Sequence, residues 1–149
     1  MWNERTDIVT TMSTAKSILV IDDEEDIRTV VYMALELTTS WQIVLAASGT
    51  EGIALAKKLK PDAVLLDVTM PEMDGPTTFK TLQACEQTQS IPVLLLTAKV
   101  QSIDQKAFAD LAVAGLLFKP FDPLKLADEI AACLGWESPT QGEEDDDHA

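Results

Sequence analysis

The sequence predicts an α/β fold: a doubly wound (βα)5 sandwich around a five-stranded parallel sheet. Three observations carry this. Short aliphatic runs recur along the chain, stretches with helical spacing of apolar residues separate them, and the runs do not alternate with polar residues. Strands buried on both faces of a parallel sheet read in that way. Strands alternating with helices form βαβ units, whose right-handed crossovers distribute the helices over both faces.

The elements follow in order. "SILVI" (17–21) is the first strand. A helix over 25–38 places Ile27, Val30, Val31, Ala34 and Leu35 on one side. "IVLA" (43–46) is the second strand, and 50–59 the next helix, with Ile53, Ala54, Ala56 and Leu59 at helical spacing. "AVLLD" (63–67) precedes a helix over 76–86, and "PVLLLT" (92–97) precedes one over 103–113. "GLLFK" (115–119) is the fifth strand, and the last helix, 123–134, opens with Pro123 at a favoured first-turn position. This organisation gives a flexible extension over 1–15, with Met12 as a second candidate start, and one domain over 16–136. An acidic tail over 137–149 has nothing apolar to bury and is expected to be disordered.

Composition excludes several functions. Eleven Lys and Arg against 25 Asp and Glu in 149 residues leave a net charge of −14. That balance opposes phosphate-tracking nucleic-acid binding and attraction to an anionic membrane. Cys85 and Cys133 form no CxxC pair and read as small hydrophobes in a reducing compartment. His148, the only histidine, sits in the acidic tail, which argues against a Ser-His-Asp triad, a Cys-His pair or a phosphohistidine carrier. Glu4 and Asp7 near the start and the lack of a long apolar run argue against a signal peptide or a membrane span. A soluble, cytoplasmic protein is expected.

Ligands of such sheets bind outside the carboxyl ends of the strands. The first strand ends at Asp22-Asp23, the third at Asp67 followed by "VTMPEMDG", the fourth at Thr97-Ala98 and the fifth at Lys119-Pro120. The second ends at Ala47-Ser48-Gly49, a turn into the next helix. Any one of these residues alone reads as a cap, a turn or a solvated side chain, and Glu24, Glu25 and Asp26 read as acids at a helix start. Their conjunction on one rim is what carries information. Crowded carboxylates raise one another's pKa unless a cation joins them, and a hard oxygen set with few protein ligands suits Mg²⁺. A metal and a lysine around a carboxylate make a phosphate site, with Asp67 as a nucleophile able to become an acyl phosphate. No Walker A loop and no GxGxxG supports nucleotide binding.

These residues give the chain a resemblance to the receiver domain of two-component response regulators, of the single-domain type used in chemotaxis, over about residues 16–135. The matching motifs are Asp22-Asp23, "LLDVTMPEMDG" around Asp67, "LLLTAK" around Thr97 and "FKPF" around Lys119. The resemblance implies a flavodoxin-like strand order, 2-1-3-4-5. It implies that Asp67 accepts a phosphoryl group from a phosphohistidine, with Thr97 as the switch hydroxyl and Lys119 pairing with phosphoryl oxygens. Asp23, Asp67 and the carbonyl of Thr69 would bind Mg²⁺ directly, and Asp22 through water. Lys119-Pro120 would be a cis bond, and the N–H groups of Val68 and Ala98 would face the phosphoryl group. The implied partners are a sensor histidine kinase or a histidine phosphotransfer protein, docking over Ile27, Val30, Pro120 and Phe121. The output would be a contact with another protein or onward transfer to a histidine phosphotransfer protein, not a contact with nucleic acid or membrane. Residues 103–134 lack the arginine used for pairing in DNA-binding relatives, so a monomer or weak dimer is expected.

The chain also departs from the family pattern. Leu116 stands where many receivers carry an aromatic three positions before the lysine, so readout through that position is in question. Thr69 and Lys99 flank the approach of hydrolytic water, and the lysine is expected to prolong the phosphorylated state. Trp136, just past the last helix, is expected to close the domain as a staple. Two other readings stand beside this one. A pseudo-receiver would keep the fold as a docking module without the chemistry, and an aspartyl-phosphate phosphatase would need an acid where Thr69 stands.

Overall fold

A five-stranded parallel sheet in the order β2-β1-β3-β4-β5 organises the chain. The structure is a computed structural model, and it describes residues 15–68, 75–97 and 112–139. Its elements are β1 (Ser17–Ile21), α1 (Glu25–Thr38), β2 (Gln42–Ala46), α2 (Gly49–Leu59), β3 (Ala63–Asp67), α3 (Gly75–Ala84), β4 (Val93–Thr97), β5 (Gly115–Phe118) and α4 (Leu126–Leu134). The expected strand order is therefore observed. The helix expected over 103–113 falls outside the described residues as far as 111, as do Thr69, Ala98, Lys99 and the segments 1–14 and 140–149.

Strand side chains alternate between the two faces of the sheet. Leu19, Ile21, Val64, Leu66, Val93 and Leu95 pack with Ile53 and Ala56 of α2 and with Phe79 and Leu82 of α3. Ile18, Val20, Leu65, Leu94 and Leu96 pack on the other face with Val31 and Leu35 of α1 and Leu126 and Ile130 of α4. Each such fully buried aliphatic side chain contributes about 1.5–3 kcal/mol. The expectation of burial on both faces holds for β1, β3 and β4, whereas the edge strands β2 and β5 are only partly covered. Leu116 of β5 packs against the α2/α3 side of the core.

Local chemistry sets the helix ends. Ser48 caps α2 by accepting from Glu51 N–H at 3.1 Å, while the Glu51 carboxylate accepts from Ala47 N–H at 2.7 Å. These reciprocal bonds resemble a capping box, shifted by one residue. α2 closes on Lys60, held left-handed at φ 48°. Two expectations are corrected here. Pro123 does not open the last helix: Lys125 N–H bonds to Asp122 O and Leu124 N–H to Asp122 Oδ1, making a separate turn before α4 begins at Leu126. Glu24 precedes α1 but makes no side-chain cap.

Trp136 behaves as a staple. Its N–H bonds to Ala131 O just past α4, and its ring meets that of Trp41 edge-to-face at 5.1 Å. Lys16 Nζ lies 5.1 Å from the Trp136 ring centroid, joining the start of β1 to the same cluster. Ser138 continues the contact by donating to Asp128 Oδ1.

Candidate functional site

The strand register brings the candidate residues to one side of one rim. Asp67 closes β3 in the phase of Ala63 and Leu65, toward the face covered by α1 and α4. Asp22, one residue past β1, continues the phase of Ile18 and Val20, and Lys119, one past β5, that of Leu117. Backbone bonds prolong the ladder beyond the strands: Asp22 N–H to Ala46 O, Val68 N–H to Leu96 O, and Lys119 N–H to Thr97 O at 2.7 Å. The site therefore stands on backbone that the sheet ladder itself holds in place. Thr97 ends β4 in register with Phe118 and is 4% exposed.

Three carboxylates surround one ammonium. Lys119 Nζ lies 3.4 Å from Asp67 Oδ1, 3.6 Å from Glu24 Oε1 and 3.7 Å from Asp22 Oδ2. Asp22 and Asp67 are buried, Lys119 is largely so, and the Glu24 side chain is 61% exposed. Asp22, Asp23 and Asp67 each offer a carboxylate oxygen, all within 4.8 Å of one another. Asp22 Oδ1 accepts from Glu24 N–H at 2.9 Å, but its buried Oδ2 has no hydrogen-bond partner among the described residues.

The charges respond to this crowding. Burial pushes the Asp22 carboxyl pKa up from its ordinary value, against the pull of the Glu24 N–H and Lys119, with the charges of Glu24 and Asp23 adding to the rise. For Lys119, burial alone would lower the ammonium pKa; Asp22 and Asp67, joined by Glu24, outweigh it and the net shift is upward. A hard-oxygen donor set containing an orphaned, buried carboxylate oxygen fits a small divalent cation. Thr69, the remaining expected ligand, lies outside the described residues.

Ile27, Val30, Pro120 and Phe121 converge as well. With Lys119 they line an open cleft of about 450 Å³ beside the acids. Lys119-Pro120 is cis, as the resemblance implied. Two contacts were not foreseen. The Glu24 side chain joins the site instead of serving only the helix start, and Arg28 Nη1 donates to Asp22 O at 2.8 Å. The Arg28 contact had a signal, since helical side chains lean toward the N-terminus and an arginine in the first turns can reach back to the preceding loop. The Glu24 contact had none, because it depends on where Lys119 folds.

The family described as response regulator receiver domain matches residues 18–131. The chain belongs to that family. Among curated relatives, this receiver is 35% identical over 119 residues to the alkaline phosphatase synthesis transcriptional regulatory protein PhoP of Bacillus subtilis, covering 80% of this chain and 48% of that protein. It is 38% identical over 117 residues to the DNA-binding dual master transcriptional regulator RpaA of Synechocystis, covering 78% of this chain and 48% of that protein. The chain thus spans about half the length of these relatives. Among solved structures, chemotaxis protein CheY4 of Vibrio cholerae superposes with a TM-score of 0.74 at 28% identity, over 80% of this chain and 98% of that one. The receiver domain of sensor histidine kinase PA1611 from Pseudomonas aeruginosa, described with a magnesium ion coordinated in its active-site cleft, gives 0.73 at 25% identity, over 81% and 98%. Receiver domains interact with histidine kinases or phosphotransfer proteins and generally use Mg²⁺ at an acidic site, and this receiver has such an acidic cluster. No helix among the described residues is long and apolar enough to cross a membrane.

Proposed function

We propose that this receiver accepts a phosphoryl group on Asp67 from the phosphohistidine of a sensor histidine kinase or histidine phosphotransfer protein, and thereby changes its contacts with a downstream protein. The observation that carries the reading is the rim itself: Asp67 buried beside Asp22 and Asp23, with Lys119 Nζ 3.4 Å from its Oδ1. A carboxylate oxygen of Asp67 forms a bond to phosphorus as the phosphorus–nitrogen bond breaks. The imidazole leaves with the electron pair and an acyl phosphate remains. Asp23, Asp67 and, as the family resemblance implies, the Thr69 carbonyl would hold Mg²⁺, with Asp22 acting through water. Bound there, Mg²⁺ would supply charge neutralisation to the phosphoryl oxygens. Lys119 balances charge on the opposite side, Thr97 supplies a hydroxyl to a phosphoryl oxygen, and, as the family resemblance implies, the N–H groups of Val68 and Ala98 would face the same group. The acceleration is positional and electrostatic. The magnesium in the PA1611 receiver supports the metal assignment.

The cleft of Ile27, Val30, Pro120 and Phe121 opens beside Lys119, which supports its use by the phosphoryl-donating partner. The reading carries a cytoplasmic location and a monomeric or weakly dimeric state. Intact mass after incubation with acetyl phosphate, with and without Mg²⁺ and beside Asp67→Asn, tests it. A Mg²⁺-dependent gain of one phosphoryl group in the wild type alone is expected. No gain in the folded protein would leave a docking module.

A further inference from the structure

We propose that Glu24 is a charge filter at the mouth of the acceptor cleft, slowing the phosphorylation of Asp67 by small anionic acyl phosphates. The proposal rests on the acceptor reading above and adds a residue to it.

Glu24 is distinct from the other two acids that meet Lys119. Asp22 and Asp67 are 1% and 3% exposed, whereas the Glu24 side chain is 61% exposed yet reaches the same ammonium. Its position is set from two sides. The Glu24 N–H is tied to Asp22 Oδ1 at 2.9 Å, and the carboxylate sits 3.6 Å from Lys119 Nζ. It stands where a cap residue belongs, but its side chain makes no cap, so a role at the helix start does not account for its orientation. A free anion approaching Asp67 past Lys119 therefore meets a solvent-facing carboxylate, one ammonium away from the acceptor.

Glu24 also shares the Lys119 ammonium with Asp67 and Asp22, at 3.6 Å against 3.4 and 3.7 Å, and so offsets part of the charge available to an incoming anion. In a partly solvated cleft, a unit charge roughly 7 Å from an anion changes its local concentration by about three- to eightfold at low ionic strength. That effect fades as salt screens it. A donor delivered by a docked protein gains contacts along the Ile27 and Phe121 cleft that outweigh this repulsion. A free acyl phosphate gains none. Glu24 thus biases the receiver toward its protein donor.

The test compares initial rates of phosphoryl incorporation from acetyl phosphate at saturating Mg²⁺, followed by intact mass, for wild type, Glu24→Gln and Glu24→Asp, with Asp67→Asn as the blank. The transfer forms the Asp67 oxygen–phosphorus bond and releases acetate with the electron pair of the broken bond. Glu24→Gln is expected to react about three- to eightfold faster at low salt, and the gap should shrink as salt is raised. Glu24→Asp keeps the charge and should stay within about twofold of wild type. Equal rates for wild type and Glu24→Gln, a slower Glu24→Gln, or a gap insensitive to salt would overturn the inference while leaving the acceptor assignment intact. A wild type that incorporates nothing overturns the acceptor reading itself and the filter with it.

Discussion

Lys119 Nζ and Asp67 Oδ1 lie 3.4 Å apart across 52 positions of sequence, and the strands that carry them, β5 and β3, are separated by β4. The lysine side chain therefore arches over the end of β4 to reach an acid two strands away. Its charge offsets two buried carboxylates at once. Replacing it by methionine should lower metal-free stability by about 3 kcal/mol, because two buried acids lose their counter-charge. Added Mg²⁺ should recover part of that loss, which denaturant titrations in EDTA and in Mg²⁺ would reveal. The Lys119 pKa is raised in the fold, so its contribution is fully present below the ordinary 10.5 and disappears as pH climbs through the higher folded value. The methionine variant should lack that alkaline loss.

Asp22 costs the metal-free fold stability. Its Oδ2 is buried without a hydrogen bond, a situation worth about 1–3 kcal/mol against the folded state. Asp22→Asn should raise the melting temperature in EDTA and abolish most of the stabilisation by Mg²⁺. The pH dependence has a definite sign. With the folded pKa above 3.8, this group's stabilisation is fully present below that value and is lost as pH rises through the folded value. Between those two values, wild-type stability in EDTA should fall relative to Asp22→Asn. A variant no more stable than wild type in EDTA would contradict the assignment.

Gly115 lets α4 lie close against β5. A Cβ placed there would sit 2.6 Å from Cys133 Sγ and 3.0 Å from Cys133 Cβ. Gly115→Ala should cost about 1–3 kcal/mol through overpacking. Combined with Cys133→Ala, the cost should be clearly smaller than the sum of the two single changes. Strict additivity in chemical denaturation would show that the contact is not limiting.

Lys60 ends α2 with φ 48°, a conformation in which an L side chain is strained. Lys60→Gly should stabilise the receiver by about 0.5–1 kcal/mol, the relief exceeding the extra entropy glycine gains when unfolded. The midpoint of urea unfolding should move up with no change in slope.

The strands were legible almost to the residue because each is an uninterrupted aliphatic run, and period-two alternation then fixes which face every strand-end residue continues. That is why the positions of Asp22, Asp67 and Lys119 on one side of one rim were within reach of the sequence. Helix ends were less legible. The helix expected to reach 86 stops at Ala84, where Thr88 Oγ1 bonds back to Leu82 O at 2.6 Å and a tight turn takes over. Asp122 draws the backbone after β5 into a turn of its own, which delays α4 to Leu126. Glu24 was legible as an acid at a helix start but not as a neighbour of Lys119, since that contact exists only once β5 is laid down at the far edge of the sheet.

The pairing of Trp41 with Trp136 has a spectroscopic consequence. Both indoles lie at the end of the sheet where Lys16 enters β1, and the acidic rim lies at the other end, one strand length or roughly 16 Å away. Their emission therefore reports whether the last helix is seated against the rest of the fold. It should be silent toward quenchers or cations held near Asp67. In a Trp2→Phe variant, where only this pair emits, a change in indole emission on adding a phosphoryl donor would mean that an event at one pole had been relayed the whole length of the strands to the other.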